Sequence, residues 1–412
     1  MSTGGRGQRV RDFLGLRRSI VGLLGMVVLV ALGEKMAERF LPIYILALGG
    51  GPLVIGLLNG LDNFLSALNS FSGGYLADRV GTKRSLLIFN LLAMFGFVIV
   101  ILVPAWPAVI VGAVFFLSWT AISLPATMGL VARVLPKSKR TMGVSMHSLV
   151  KRIPMSLGPL MGGVFIALWG EVNGVRLAFV AALVLAGVAL VMQQRLIEDD
   201  PPRPAHAPVE RKDHNPLRLL KQMSPSLRNL LVADILVRFC EQIPYAFVVV
   251  WCMKVIQHPV SAVEFGVLTT IEMATAVLVY IPVAYLADRS TKKPFVLITF
   301  FNFTLFPLVL LFSHSFVVLI AAFVIRGLKE FGEPTRKALI MDLAPEDRKA
   351  GMFGLYYLIR DVIVSVAAFG GAFLWEVSPT VNFIVAAAMG IIGTVWFAWR
   401  GRDLGPQTAT QE

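Results

Sequence analysis

Very little of this chain is equipped for chemistry in water. Only 15% of its 412 residues are charged, and it has two cysteines and five histidines, while 56% of the residues are hydrophobic. A soluble domain carries about 25% charged and about 45–50% apolar residues, so an ordinary globular core is excluded. Cys240 and Cys252 share one apolar run, which leaves no basis for a disulfide framework or a cysteine metal site. No G-x-x-x-x-G-K-[ST] phosphate loop occurs, so nothing points to ATP. Nucleophile–base constellations and metal-ligand spacings are missing too. The chain therefore reads as no enzyme, and neither a cofactor nor a metal is expected.

What the sequence has in quantity is apolar length. Runs fall at about 20–48, 54–77, 85–104, 107–132, 141–169, 175–196, 229–257, 264–287, 294–313, 315–341, 350–376 and 380–400. Each is near the roughly 20 residues that cross a bilayer, so twelve membrane spans are expected, with lipid as a partner. The net charge of +13 would suit nucleic acid if it were clustered on one surface. It is not. Eight cations (Lys35, Arg39, Lys151, Arg152, Arg238, Arg326, Lys329 and Arg360) lie deep inside the runs, and only Arg176 and Lys254 fall in or beside one alternate set of loops. All others fall in the opposite set, at the run ends beside it, or in the tails. That asymmetry predicts an inner-membrane protein with both termini in the cytoplasm, and no nucleic-acid partner. The basic start, Arg6 to Arg18, resembles a signal peptide. The run behind it, from Ile20 to about Leu48, carries Glu34 and Glu38 and reads as a retained first span.

Sliding the chain on itself by about 208–210 residues brings two halves into register. Tyr75-Leu76-Ala77-Asp78-Arg79 meets Tyr285-Leu286-Ala287-Asp288-Arg289, and Asp62 meets Glu272. Pro125 and Pro136 meet Pro334 and Pro345, while Arg152 and Gly162-Gly163 meet Arg360 and Gly370-Gly371. Both Asp-Arg loops fall on the cytoplasmic side, so the repeat is parallel. The expected fold is all-α: residues 1–192 as one six-helix bundle, a charged, proline-rich cytoplasmic linker at 193–228, and residues 229–412 as a pseudo-symmetric second bundle.

Gly74-Tyr75-Leu76-Ala77-Asp78-Arg79-Val80-Gly81-Thr82-Lys83-Arg84 resembles the G-x-L-a-D-r-x-G-r-k-r signature of the major facilitator superfamily, and Asp288-Arg289-Ser290-Thr291-Lys292-Lys293 echoes it. An acid at a helix end, ringed by cations in a tight turn, is chemically a latch that can form and break. The resemblance implies that role for Asp78, Arg79, Arg84, Asp288 and Arg289. Gly158-Pro159-Leu160-Met161-Gly162-Gly163 is similar to the end of a motif of drug–proton antiporters, although Pro154 stands where that pattern has glycine and Phe115 to Thr120 carry no cation. Ordinary small-residue helix packing explains the same stretch. Glu34-Lys35-Met36-Ala37-Glu38-Arg39-Phe40 is similar to the E-x-x-E-R-F element of proton-coupled oligopeptide transporters, with one extra residue between the glutamates. These resemblances imply a secondary transporter working by alternating access, with proton-coupled export of a small organic molecule as the leading reading. Proton symport of a peptide-like or charged nutrient, a lipid flippase, and a sensor or scaffold without transport stay open. A monomer is expected.

A charged group in a span costs about 2.5–3.5 kcal/mol on insertion scales, so each should face a polar cavity or a partner. Spacing offers Arg326–Glu330 and Lys329–Glu333 at i,i+4 and Arg238–Glu241 at i,i+3. Proton-coupling candidates are Glu34, Glu38, Asp62, Glu272, Glu330 and Asp361. Glu34 and Glu38 share a helix face, where burial and mutual repulsion favour a proton on one of them. Substrate-cavity candidates are Arg39, Tyr44, Asn63, Arg152, Arg238, Glu241, Arg326, Glu333, Tyr356 and Arg360. Asn59, Trp119, Gln242, Tyr245, Tyr280 and Tyr357 are weaker ones, equally suited to packing. His147 reads as a hydrogen-bonded spacer before it reads as a proton relay.

Overall fold

The structure, a computed structural model, describes residues 18–117, 119, 140–198, 220–287, 291–345 and 349–403. Among these, regular structure is helical: α1 Arg18–Glu38, α2 Leu41–Ala47, α3 Pro52–Val80, α4 Thr82–Leu102, α5 Trp106–Phe116, α6 Arg140–Leu196, α7 Pro225–Tyr245, α8 Phe247–Val250, α9 Ala262–Ala287, α10 Lys293–Leu311, α11 Phe316–Leu328, α12 Glu333–Leu343, α13 Lys349–Val377 and α14 Pro379–Arg400. Six helices of the described residues are long and apolar enough to cross a membrane, or seven if α7 and the segment Phe247–Val255 count as one span bent by 42°.

Several expected spans are not single helices. The first breaks at Arg39–Phe40, between α1 and α2. The span at 229–257 bends at Ala246 and ends in one π-helical turn, Trp251–Val255. The span at 315–341 is interrupted by a turn at 329–332 between α11 and α12. The runs at 141–169 and 175–196 are two helices, the two arms of α6, which meet at a kink at Gly170, whose positive φ of 76° suits glycine.

The chain divides into two compact units. Unit 1 holds residues 1–50, 65–205 and 261–267; unit 2 holds 51–64, 206–260 and 268–412. In unit 1, α6 lies along α1, and its small residues permit the approach. A side chain at Gly158 would meet Lys35 Cβ at 2.7 Å, one at Gly162 would collide with Met36 O, and Gly33 faces Ala182 Cα at 2.8 Å. The Gly158–Gly163 motif thus lets two backbones touch, which apolar side chains in lipid do not enforce by themselves. Gly162→Leu should therefore destabilise the protein by about 1–3 kcal/mol through overpacking. A detergent melting curve checks this, and an unshifted midpoint would remove the contact from the account.

In unit 2, α7, α10, α13 and α14 share a core that includes Leu227, Leu230, Val237, Phe300, Met352 and Phe397. Serine caps start two of these helices: Ser224 Oγ accepts from Leu227 N–H, and Ser378 Oγ from Val381 N–H, each followed by proline. Such caps satisfy amides that lipid cannot. With its start anchored, α7 presents Asp234, Arg238 and Glu241 along one face.

Candidate functional site

Unit 2 holds a chain of buried and half-buried charges that alternates in sign. Arg326 on α11 pairs with Glu272 on α9 at 3.3 Å. Lys329, in the turn after α11, reaches Glu272 at 3.5 Å and Glu241 on α7 at 2.8 Å. Arg238 divides its two terminal nitrogens between Glu241 at 2.5 Å and Glu333 on α12 at 2.6 Å. Glu333 also accepts from Arg336 at 2.8 Å, and Arg336 pairs with Asp234. Asp234 further accepts from the Tyr356 hydroxyl at 3.0 Å and from Arg360 at 3.5 Å, and Arg360 binds Asp361 at 2.7 Å. Five carboxylates (Asp234, Glu241, Glu272, Glu333, Asp361) thus meet five cations (Arg238, Arg326, Lys329, Arg336, Arg360) in one continuous series. Pairing of this kind is what makes charges tolerable inside a membrane protein.

Aromatic rings hold the arginines from the other side. Phe306, Phe323 and Tyr245 surround the Arg326 guanidinium at 5.1, 5.6 and 5.7 Å. Arg238 lies over Phe303 at 5.0 Å, and Arg360 over Tyr357 at 4.2 Å. A guanidinium can lie flat on a ring while its in-plane N–H groups face a carboxylate; the Lys329 ammonium meets Phe303 at 5.8 Å and Glu241 as a point charge without that plane. Asn63 joins the same unit: its amide donates to Gln242 Oε1 at 3.2 Å, beside Glu241, while Asn59 donates to Gln242 O at 3.0 Å.

The sequence profile of the Major Facilitator Superfamily matches residues 23–262 and again 230–412. The chain belongs to that superfamily. It is therefore a membrane transporter and not an enzyme. An uncharacterized MFS-type transporter of Methanocaldococcus jannaschii is 22% identical over 375 residues, 88% of this chain and 89% of that protein. Among solved structures, a POT peptide transporter in complex with alafosfalin aligns at a TM-score of 0.74 and 16% identity, over 93% of this chain and 94% of that one. A variant of the nucleoside transporter NupG aligns at 0.76 and 13%, over 93% and 100%. A bacterial homologue of the human lysosomal transporter Spinster, inward-facing and unoccupied, aligns at 0.67 and 13%, over 97% and 99%. At these identities the likeness speaks for the shared superfamily fold.

Within this superfamily member, unit 2 brings Arg238, Glu241, Glu272, Arg326, Glu333, Tyr356, Arg360 and Asp361 into one chain. Two expected pairings are corrected. Arg326 bonds Glu272 rather than Glu330, and Lys329 bonds Glu241 and Glu272 rather than Glu333. The reason is the turn at 329–332, which ends the i,i+4 register on which both pairings depended. The Arg238–Glu241 pairing is present. Glu330, in the turn, is half-buried.

In unit 1, Lys35 sits between the two glutamates, 3.3 Å from Glu34 and paired with Glu38. Arg39 follows in the break before α2, and Tyr44 on α2 is fully buried with no hydrogen bond to its hydroxyl. Arg152 lies partly buried on α6, and Asp62 partly buried on the stretch of α3 that belongs to unit 2. Trp119 is a core residue whose indole N–H donates to Asn90 at 2.7 Å. Arg84 is exposed in the first turn of α4. The side chains of Asp78, Arg79, His147 and Tyr280, and all of Asp288 and Arg289, lie outside the described residues.

Two members of the chain escape sequence reasoning. Arg336, counted there among the cytoplasmic cations, is only 1% exposed, and so is Asp234. A lone acid in the apolar run Leu230 to Val237, one helical turn before Arg238, was the available signal for Asp234. Arg336 sits between Pro334 and exposed Lys337, which disguises it as a loop residue.

Proposed function

We propose that this transporter is a secondary carrier that exports a small charged or zwitterionic organic solute in exchange for protons, by alternating access. The alternating chain from Arg326 to Asp361 is the observation that carries the proposal. A scaffold gains nothing from ten desolvated charges, because apolar replacements of the same shape are as stable or more so. A carrier gains a polar site in which either sign of a solute can trade places with an internal partner. Arg39, Tyr44, Asn63 and Arg152 are the further solute contacts in this reading. Glu34, Glu38 and Asp62 carry the coupling proton, with Glu272, Glu330 and Asp361 next. Asp78, Arg79, Arg84, Asp288 and Arg289 form the latches. In this reading the protein is a monomer of the inner membrane, with both termini cytoplasmic and twelve spans in two bundles, 1–192 and 229–412, joined by 193–228.

Uptake by proton symport is the second reading, favoured by one observation: the Glu34–Phe40 element ends at a helix break with a lysine between its glutamates. Proteoliposomes with an imposed pH gradient separate the two. Export by exchange accumulates solute on the side from which protons leave only when protons move the opposite way; symport moves both together. Gln at the essential glutamate, or Asn at Asp62, should abolish pH-driven accumulation yet spare solute exchange without a gradient. If none of Glu34→Gln, Glu38→Gln and Asp62→Asn changes pH-driven transport, the proton site is elsewhere.

A further inference from the structure

The turn at 329–332 sets where Lys329 and Glu333 stand, and both are links of the ion chain. Its own ends need an explanation. A break inside a membrane helix frees amides that lipid cannot satisfy; the N–H groups of Glu330, Phe331 and Glu333 find carbonyls in or just before the turn, which leaves that of Gly332. Gly332 caps α12 but has no side chain to take it up.

The partner is a stripe on α10. Thr299, fully buried, accepts the Gly332 N–H on its hydroxyl at 2.5 Å. Asn302 donates to the Leu328 carbonyl, the last residue of α11, at 3.4 Å. Phe295 stacks on Phe331, within the turn, with centroids 5.9 Å apart and planes 16° apart. These three residues stand at i, i+4 and i+7, one face of a helix. The fit is close on the other side too: a side chain on Gly332 would collide with Phe295 O and lie 2.7 Å from the Thr299 hydroxyl.

We infer that Thr299 and Asn302 are positioning residues for transport, which splint the break in α11–α12 and so hold Lys329 and Glu333 in register with Glu241, Glu272 and Arg238. The inference rests on the ion chain being the solute site of the function proposed above. It makes a particular kinetic demand. If the splint is lost, the assembled site is only one of several registers of the turn, and apparent affinity falls by the populated fraction. Saturating solute pulls the population back. KM should therefore rise while the maximal rate holds, whereas damage to folding lowers the maximal rate and leaves KM alone.

The test uses Thr299→Val, which keeps shape but removes the acceptor, and Asn302→Leu, which removes the donor. Thr299→Ser restores the hydroxyl. In detergent-solubilised full-length protein, amide exchange at residues 329–333 should quicken about tenfold in the first two, the worth of one buried hydrogen bond, and return in the serine variant. In proteoliposomes loaded with whichever member of a dipeptide, nucleoside and organic-cation panel the wild type carries, KM should rise about tenfold with the maximal rate within about twofold. Unchanged exchange in both variants overturns the inference. Quickened exchange with unchanged KM overturns it too, and Arg326→Lys then tells which premise failed: if that variant raises KM, the splint is at fault, and if it does not, the ion chain is not the solute site. If Thr299→Val fails to fold, Asn302→Leu carries the same expectations.

Discussion

Replacing Asp234 with alanine should lower the apparent melting temperature of the detergent-purified protein by roughly 10 °C. The carboxylate receives Arg336, the Tyr356 hydroxyl and Arg360 in a fully buried place. Removing it leaves four carboxylates to balance five buried or half-buried cations, with Arg336 held by Glu333 alone and Arg360 by Asp361 alone, and uncompensated charge of this kind costs about 3–5 kcal/mol. At about 2–4 °C per kcal/mol for a unit of this size, the shift follows. The cost lies in the uncompensated charge more than in the lost pair. Asp234→Asn combined with Arg336→Met should therefore cost less than the sum of the two single changes, a coupling that a double-mutant cycle reads directly. A loss of under about 2 °C for Asp234→Ala would mean that Asp234 is not the anchor of the chain.

Arg326→Lys should reduce transport roughly thirtyfold at fixed solute and lower the melting temperature by about 4–8 °C. The lysine keeps the charge beside Glu272. It loses the planar face that Phe306, Phe323 and Tyr245 enclose, and the fixed placement of that face 3.3 Å from Glu272, together worth about 2 kcal/mol. Full activity in the lysine variant would reduce Arg326 to a point charge, and the aromatic enclosure to packing.

The contrast between these two residues shows what the sequence can and cannot carry. Arg326 is conspicuous because it stands in the middle of an apolar run, where a charge has no excuse in composition. Spans such as α4, α10 and α14 are legible for the same reason, since their apolar length is a local property. The break at 329–332 is local only in part: Gly332 and Pro334 mark a helix boundary in the sequence, but Thr299 and Asn302, which bond across it, lie on another helix. Once the break is missed, the pairing of Lys329 and Glu333 is misassigned with it. Arg336 fails by the same logic from the other direction, because a proline and an exposed lysine beside it make a buried residue look like loop. Periodicity predicts elements, and partners across elements must be seen.

The central claim is that solute and protons move through this protein in obligatory exchange. The most direct measurement loads proteoliposomes with a carried solute, imposes no pH gradient, and follows a trapped pH dye as the solute leaves. Exchange predicts that the lumen acidifies as solute flows out, that the signal disappears when the essential acid among Glu34, Glu38 and Asp62 is neutralised, and that Asp234→Asn does not reverse its sign. Outflow that leaves the lumenal pH unmoved, or that makes it alkaline, would contradict the account.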